Sequence, residues 1–359
     1  MSIRPRKSLL DPELQRPSAL TSIPRKEGQL WLDKNENLDP TLLDFTNQVF
    51  KQLPAFSIAS YPEAGDLYSK IAKLVEVSPD SILLTPGSDG AIRLVFEAFI
   101  EHGDSVLHTF PTFAMYPVYS KMFGANAHTI EYSRKNDIPY LDYNIIIEYL
   151  YNLKPKLFCL PNPDSPTGSV FSQEILEKIL TTCEKVGTIL LIDEAYHPFY
   201  DWTAMPWTKT SIHLIVARTF AKAWGAAGFR IGYAVANPET INLLHKMRPM
   251  YEVSTIAVNF MTKMLDYSNE MRDSVSRILR GKSYFQNRMR DLGFNVLLNE
   301  GNFVHIAFGD KGDKIKTALN GKVYYRHNFD HISLEGYSRF SVAPTSIMKE
   351  VADLIEQAL

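Results

Sequence analysis

Short apolar runs alternate with longer amphipathic stretches between about residues 62 and 233 of this chain. The runs fall at 81–84, 105–108, 156–160, 188–192 and 212–216. Each has the length and the apolar character of a buried strand. Between them, stretches at 89–100, 114–123 and 172–186 place apolar residues at helical spacing. Strand and helix in alternation predict an α/β fold, a three-layer sandwich with a mostly parallel central sheet covered by helices. The pattern then changes. After Pro238 a helix runs to about residue 246, and a long helical region is expected over 254–292. Short strands at 303–308, 323–326 and 339–342 are set between helices, and a helix over 347–359 closes the chain. This predicts a second, smaller α+β domain. The expected division is an N-terminal arm over 1–45 that joins the small domain, a large domain over 46–252, and the small domain over 253–359.

Composition narrows the function. The chain has 359 residues, 45% of them hydrophobic and 22% charged, which suits a water-soluble globular protein with ample core. Its 38 basic residues balance 40 acidic ones, so nucleic acid is not an expected partner. The two cysteines, Cys159 and Cys183, lack metal-ligand spacing and fit a reducing cytoplasm. No apolar run approaches the ~20 residues of a membrane helix. The first 26 residues are basic but carry Pro5, Pro12, Pro17 and Pro24 and no apolar centre, which argues against a signal peptide. They read as an extended arm lying on another surface, or as a disordered tail.

The most informative chemistry lies in residues 217–233. Lys222 follows an apolar run, Thr219 stands three positions before it, Arg230 eight after it, and Ala226, Ala227 and Gly228 crowd the loop between. A lysine among apolar and small neighbours loses solvation, so its pKa falls and its amine becomes a nucleophile toward a carbonyl. Thr219 and Arg230 suit a phosphate. The combination describes a lysine that forms a Schiff base with pyridoxal phosphate (PLP); an ordinary solvated loop is the competing reading. Four other segments also begin where expected strands end: Gly87-Ser88-Asp89 after Pro86, Pro111-Thr112-Phe113, the loop 161–168, and Asp193-Glu194-Ala195-Tyr196. In open α/β sheets, ligands bind beyond the carboxyl ends of the strands, so these loops should converge on one crevice. Gly87, Ser88 and Asp89 open a helix and could cradle a phosphate or merely cap it. Phe113 could stack on a flat cofactor or belong to the core. Asp193 follows five apolar residues and needs a partner such as a protonated pyridine nitrogen, although strand-end acids also cap helices.

These residues resemble those of fold-type I PLP enzymes, specifically the histidinol-phosphate aminotransferase group of the class I and II aminotransferases. The matching stretches run from Trp31-Leu32-Asp33-Lys34-Asn35-Glu36-Asn37 to Arg339-Phe340-Ser341-Val342 and include Tyr61-Pro62-Glu63. The resemblance implies an amino-acid biosynthetic transferase. In it Lys222 would hold PLP and later shuttle a proton, Asp193 would pair with the pyridine nitrogen, Tyr196 would bond the ring oxygen, and Phe113 would stack on the ring. Ser88, Asp89, Thr219 and Arg230, with Gly87, would hold the phosphate. Tyr61 would reach the neighbouring subunit's phosphate site, which implies a homodimer with shared active sites. Arg339 and Arg326 would bind a substrate carboxylate or phosphate, with Asn35 beside them; for both arginines a surface ion pair is the alternative.

The chain departs from that pattern in three places. Ser165 replaces the second asparagine of an Asn-Asn-Pro-Thr-Gly loop, so a hydrogen bond to the cofactor's ring oxygen is expected to be lost or carried by water. Ala221 replaces a serine that contacts phosphate, and no tyrosine stands near Pro17-Ser18-Ala19 where the family carries one for the substrate phosphate. Two reactions therefore compete on one scaffold. One is amino transfer between glutamate and a small phosphorylated or carboxylated substrate; the other is decarboxylation of a phosphorylated amino acid, as in the threonine-phosphate decarboxylases. A regulatory role without catalysis would call for a DNA-binding domain that this chain has no room for.

Overall fold

A computed structural model describes residues 4–12, 14 and 24–359. The Pro17-Ser18-Ala19 segment lies outside the described residues. Fourteen strands are labelled in chain order. The first, β1 (Leu30–Trp31), precedes β2 (Ile82–Thr85), β3 (Ser105–Phe110), β4 (Asn126–Glu131), β5 (Ser133–Lys135), β6 (Ile138–Tyr140) and β7 (Leu157–Pro161). There follow β8 (Ile189–Asp193), β9 (Leu214–Thr219), β10 (Gly232–Ala236), β11 (Asn295–Leu297), β12 (Phe303–Ala307), β13 (Val323–Tyr324) and β14 (Tyr337–Ser341).

Seven of these form the central sheet, in the order β2-β10-β9-β8-β7-β3-β4. The pairs from β9 across to β4 are parallel, and β10 runs antiparallel between β2 and β9. The apolar runs become the fully buried strands β2, β7 and β9, as the two covered faces of a parallel sheet require. Strand β10 was not expected. Its Gly-Tyr-Ala-Val-Ala sequence follows directly on the lysine loop, and it fits because Gly232 carries no side chain. A Cβ there would lie 2.5 Å from the Arg218 carbonyl oxygen and 2.7 Å from the Gly87 carbonyl carbon. The helices Gly87–Phe99 and Gln173–Val186 follow their strands, each shifted slightly from the expected span.

The C-terminal part contains the antiparallel sheet β11-β12-β14 and the helices Ser268–Asp291 and Thr345–Glu356, which pack together. The expected helix over 254–292 is broken: Thr255–Met264 ends in a short 3₁₀ turn at Leu265–Tyr267 before the next helix begins. The strand expected over 323–326 is only two residues long, with Arg326 forming a separate bridge to Arg339. Strand β1 pairs in parallel with β13, so this part of the arm lies with the C-terminal unit. The first described turn, Lys7–Leu10, instead lies on the helix Met115–Phe123, where the Ser8 hydroxyl donates to the Met122 carbonyl at 2.9 Å. Among the described residues no helix is long and apolar enough to cross a membrane.

Candidate active site

The carboxyl ends of β2, β3, β7, β8 and β9 point toward one crevice, closed on the other side by β14 and the segment after β1. A cavity of about 460 Å³ lies there, within the range of sites that enclose a cofactor-sized ligand. Ser88, Asp89, Phe113, Ser165, Asp193, Tyr196, Thr219, Lys222, Arg230, Arg326, Arg339 and Asn35 all line it. Gly87 sits immediately behind Ser88. Tyr61 does not line the cavity; it is 72% exposed and stacks on Tyr251 at 4.2 Å.

Lys222 stands on the loop three residues after β9. Its Nζ donates to the Lys34 carbonyl at 2.7 Å and lies 6.0 Å from the Tyr196 ring centroid. Burial lowers its pKa to about 8, and the positive Arg339 and Arg230 push the same way while Glu36 and Asp193 oppose them. A substantial share of this amine is therefore neutral near physiological pH. Opposite it, Asp193 ends β8 buried among apolar strands. Its Oδ1 accepts from the Ala195 N–H at 3.0 Å and its Oδ2 from the Tyr116 hydroxyl at 3.2 Å. Among the described residues it forms no ion pair, and burial raises the carboxyl to about 6. A basic ring nitrogen placed against this acid would supply the missing partner.

At the end of β2 the helix Gly87–Phe99 opens with no side-chain cap, so the N–H groups of its first turn are free for an anion. Gly87 has a φ of +76°, and a Cβ there would lie 3.0 Å from Arg230 Nη2. Arg230 itself holds a φ of +51° and donates to the Pro86 carbonyl at 3.4 Å. The Asp89 carboxylate accepts from the Tyr119 hydroxyl at 2.8 Å, so its share in holding an anion falls to its backbone N–H. Thr219 accepts from the Ala221 N–H at 3.1 Å and keeps its own hydroxyl hydrogen for a ligand. Phe113 meets the Tyr116 ring edge to face at 5.7 Å.

Two arginines stand together at the other end. Arg339 is buried, donates from Nη2 to the Asp33 carbonyl at 3.0 Å, and lies 5.4 Å from the Phe303 ring centroid. Its Nε has no partner among the described residues. Arg326 is exposed, and its backbone pairs with that of Arg339 at 3.0 and 2.7 Å. Two adjacent guanidinium groups repel each other unless an anion sits between them. Asn35, with a φ of +53°, donates to the Tyr196 hydroxyl at 2.8 Å and accepts from the Ser341 hydroxyl at 3.2 Å. A group carrying phosphate, an aldehyde and a basic ring nitrogen thus meets an anion cradle, a depleted amine and an unpaired acid.

Several contributors escaped the sequence reading. Tyr116, one helical turn after Phe113, is the direct partner of Asp193, and its spacing from Phe113 was the available signal. Glu194 and Arg218 form a buried ion pair behind the cavity, with Oε2 accepting from Nη2 at 2.8 Å and from Nε at 3.0 Å. Phe329 also lines the cavity, as do Asp33, Lys34 and Thr112, which stand in segments named from the sequence but were given no role there.

The family described as Aminotransferase class I and II matches residues 27–357. A histidinol-phosphate aminotransferase of Caldanaerobacter subterraneus subsp. tengcongensis is 32% identical over 302 residues, 83% of each chain. One from Clostridium novyi is 27% identical over 90% of each chain. Among solved structures, histidinol-phosphate aminotransferase from Sinorhizobium meliloti in complex with pyridoxal-5'-phosphate superposes with a TM-score of 0.78, at 23% identity and 92% coverage of both chains. L-threonine-O-3-phosphate decarboxylase from Porphyromonas gingivalis gives a TM-score of 0.75 at 20% identity, covering 91% of this chain and 98% of its own. At these identities the structural likenesses speak to fold alone.

Proposed function

The chain belongs to the class I and II aminotransferases, and from that membership we propose that it moves an amino group between glutamate and a small phosphorylated substrate of the histidinol-phosphate kind. The observation that carries this reading is the meeting, in one cavity, of Lys222, Asp193 and the arginine pair. PLP is the cofactor; when bound it supplies an aldehyde for the amino group and a ring that accepts the electron pair released at the substrate's α-carbon.

The chain's own residues do the rest. Lys222 Nζ would hold the cofactor, and its amine, when neutral, is placed to take and return the substrate's α-proton. Asp193 Oδ2 and Oδ1, fixed by Tyr116 and Ala195, would hold the positive charge of the ring nitrogen at a buried position. Ser88, the uncapped helix start, Thr219 and Arg230 bind the cofactor phosphate. Tyr196, oriented by Asn35, offers its hydroxyl to the ring. Phe113 lines the cavity and would stack on the ring. Arg339 grips a carboxylate through its planar fork, and Arg326 adds the charge a phosphate requires.

The active unit is a homodimer. Phe56, Ile58, Tyr61 and Met250 are exposed apolar side chains of the kind that a second copy covers, and Tyr61 would serve the neighbouring site. The buried, unpaired thiols of Cys159 and Cys183 are in keeping with a cytoplasmic location.

The test is a half-reaction. Mixed with glutamate, the PLP-loaded protein should lose the cofactor's visible absorbance to the pyridoxamine form and release 2-oxoglutarate, and histidinol phosphate should drive the same conversion. Carbon dioxide release from a phosphorylated amino acid, with no conversion by glutamate, would replace this reading with the lyase.

A further inference from the structure

Behind the cavity floor lies a second acid that the roles above leave unused. Asp164, in the loop after β7, is fully buried. Its Oδ1 accepts from the Thr167 N–H at 3.3 Å and from the Thr167 hydroxyl at 3.0 Å. Its Oδ2 faces the Thr109 hydroxyl at 3.2 Å. Thr109 Oγ1 in turn lies 3.2 Å from Thr112 Oγ1, and Thr112 lines the cavity. The titratable groups that face Asp164 are Asp193 on β8, Tyr116 on the helix Met115–Phe123, and Tyr132 after β4. None is a cation. Burial is the main force that raises the Asp164 carboxyl, to about 7; the Thr167 and Thr109 donors pull it down and Asp193 adds to the rise.

Thr109 has one hydroxyl hydrogen and two oxygens to give it to, so while all three groups stay bonded to one another the chain runs in one of two directions. With Asp164 ionised, Thr109 donates to Oδ2, Thr112 donates to Thr109, and the cavity meets only the lone pairs of Thr112. With Asp164 protonated, Oδ2–H donates to Thr109, Thr109 donates to Thr112, and the Thr112 hydrogen is free to point into the cavity. The ligands assigned to this cavity are anionic and oxygen-rich, which calls for the second direction. A buried acid beside Asp193 also favours it, because two carboxylates close together in a dry site do not both ionise readily. When a ring cation meets Asp193, that acid keeps its charge and Asp164 is the one left to hold a proton.

We infer that Asp164 is a positioning residue that works as a neutral carboxylic acid, turning the Thr109 and Thr112 hydroxyls so that Thr112 presents a hydrogen-bond donor to the bound cofactor or substrate. This rests on the aminotransferase reading only for what occupies the cavity. The polarity of the chain is a property of the protein itself.

Two measurements test it. Infrared difference spectra of wild type against Asp164→Asn, on full-length protein with and without PLP, should show the carbonyl stretch of a protonated carboxyl near neutral pH in wild type that the variant lacks. A difference spectrum containing only ionised carboxylate overturns the inference, whether or not the protein turns over glutamate. In the glutamate half-reaction, Asp164→Val and Thr109→Val should each lower kcat/KM by about tenfold or more, equivalent to roughly 1.4 kcal/mol. Asp164→Asn keeps a donor at every pH; it should stay within about threefold of wild type and lose the alkaline fall in kcat/KM that titration of Asp164 produces. On a Thr109→Val background, Asp164→Asn should change nothing further. An Asp164→Asn variant as impaired as Asp164→Val overturns the inference, as does an unimpaired Thr109→Val.

Discussion

Glu194→Gln changes one atom in a buried network and should cost far more than its size suggests. The carboxylate is shielded from solvent and accepts from Arg218 Nε at 3.0 Å, Arg218 Nη2 at 2.8 Å, the Thr203 hydroxyl at 2.7 Å and the Ala204 N–H at 2.7 Å. Every one of these partners is a donor. An amide keeps only one acceptor oxygen, so in either orientation its NH₂ meets a donor: Arg218 on the Oε2 side, or the Ala204 N–H on the Oε1 side. The guanidinium also loses its counter-charge in a place where only 8% of the residue is exposed. Removing one partner of such a pair costs about 3–5 kcal/mol, a large part of the ~5–15 kcal/mol that holds a typical protein folded. Arg218→Met alone strands the carboxylate and should cost a similar amount. The two together, Glu194→Gln with Arg218→Met, should cost less than the sum by about 2 kcal/mol or more, since neither charge is then left alone. Urea unfolding followed by tryptophan fluorescence gives these differences, with protein and PLP concentrations held fixed because both shift apparent stability. A single-variant cost below about 1 kcal/mol, or strict additivity in the double variant, would refute the reasoning.

Lys222→Ala should abolish turnover and the visible absorbance of bound PLP while far-ultraviolet circular dichroism stays native; persistence of that absorbance would remove Lys222 from its role. Capture of PLP by the cofactor-free protein should quicken as pH rises through about 8, because the Lys222 amine attacks only when neutral and its pKa is lowered to that value. Stopped-flow absorbance measures it, and a rate flat across that range counts against the assignment. Gly281→Ala, within the helix Ser268–Asp291, should prevent stable folding, since a Cβ there falls 1.9 Å from the Ala343 carbonyl oxygen, backbone that does not yield cheaply. Soluble, cooperative unfolding at the wild-type midpoint would contradict that packing.

How much of this was legible in the sequence depended on whether a residue's role is set by its neighbours along the chain or across it. Lys222, Asp193, Ser88 and Thr219 could be read because each follows an apolar run, and strand ends in such a sheet open on one crevice. Arg326 and Arg339 came from the family resemblance and not from any local rule, since an arginine near a strand looks the same at a surface. The antiparallel β10 was hidden because its start at Gly232 depends on room between Arg218 and Gly87, which no local pattern records. The break at Leu265–Tyr267 was hidden because the apolar spacing continues through it. Tyr116 with Asp193, Glu194 with Arg218, and Asp164 with Thr109 all join residues on different elements. A sequence states each half of such a pair without stating the meeting.

The placing of those halves explains how one strand end serves two purposes. Successive residues of a strand face opposite sides of the sheet, so Asp193 turns its carboxylate into the cavity and Glu194 turns away from it. On β9 the same alternation sends Arg218 behind the sheet and leaves Thr219 lining the cavity. The Glu194 N–H donates to the Ala217 carbonyl at 2.9 Å, and Asp193 lies opposite Ala217 in the parallel ladder. A slip of one residue between β8 and β9 would exchange the two faces, burying Asp193 against Arg218 and exposing Glu194 to the cofactor. The alternative register would still pair an acid with an arginine, so charge alone does not exclude it. Thr203 and the Ala204 N–H favour the observed register, since both meet the longer acid at 2.7 Å. The longer acid belongs behind the sheet and the shorter one in front, and the shorter one can then be held by Tyr116 close to the strand. Glu194→Asp therefore keeps the charge and loses the reach. It should release the Ala204 contact and weaken PLP binding by loosening Asp193, although no atom of Glu194 faces the cavity.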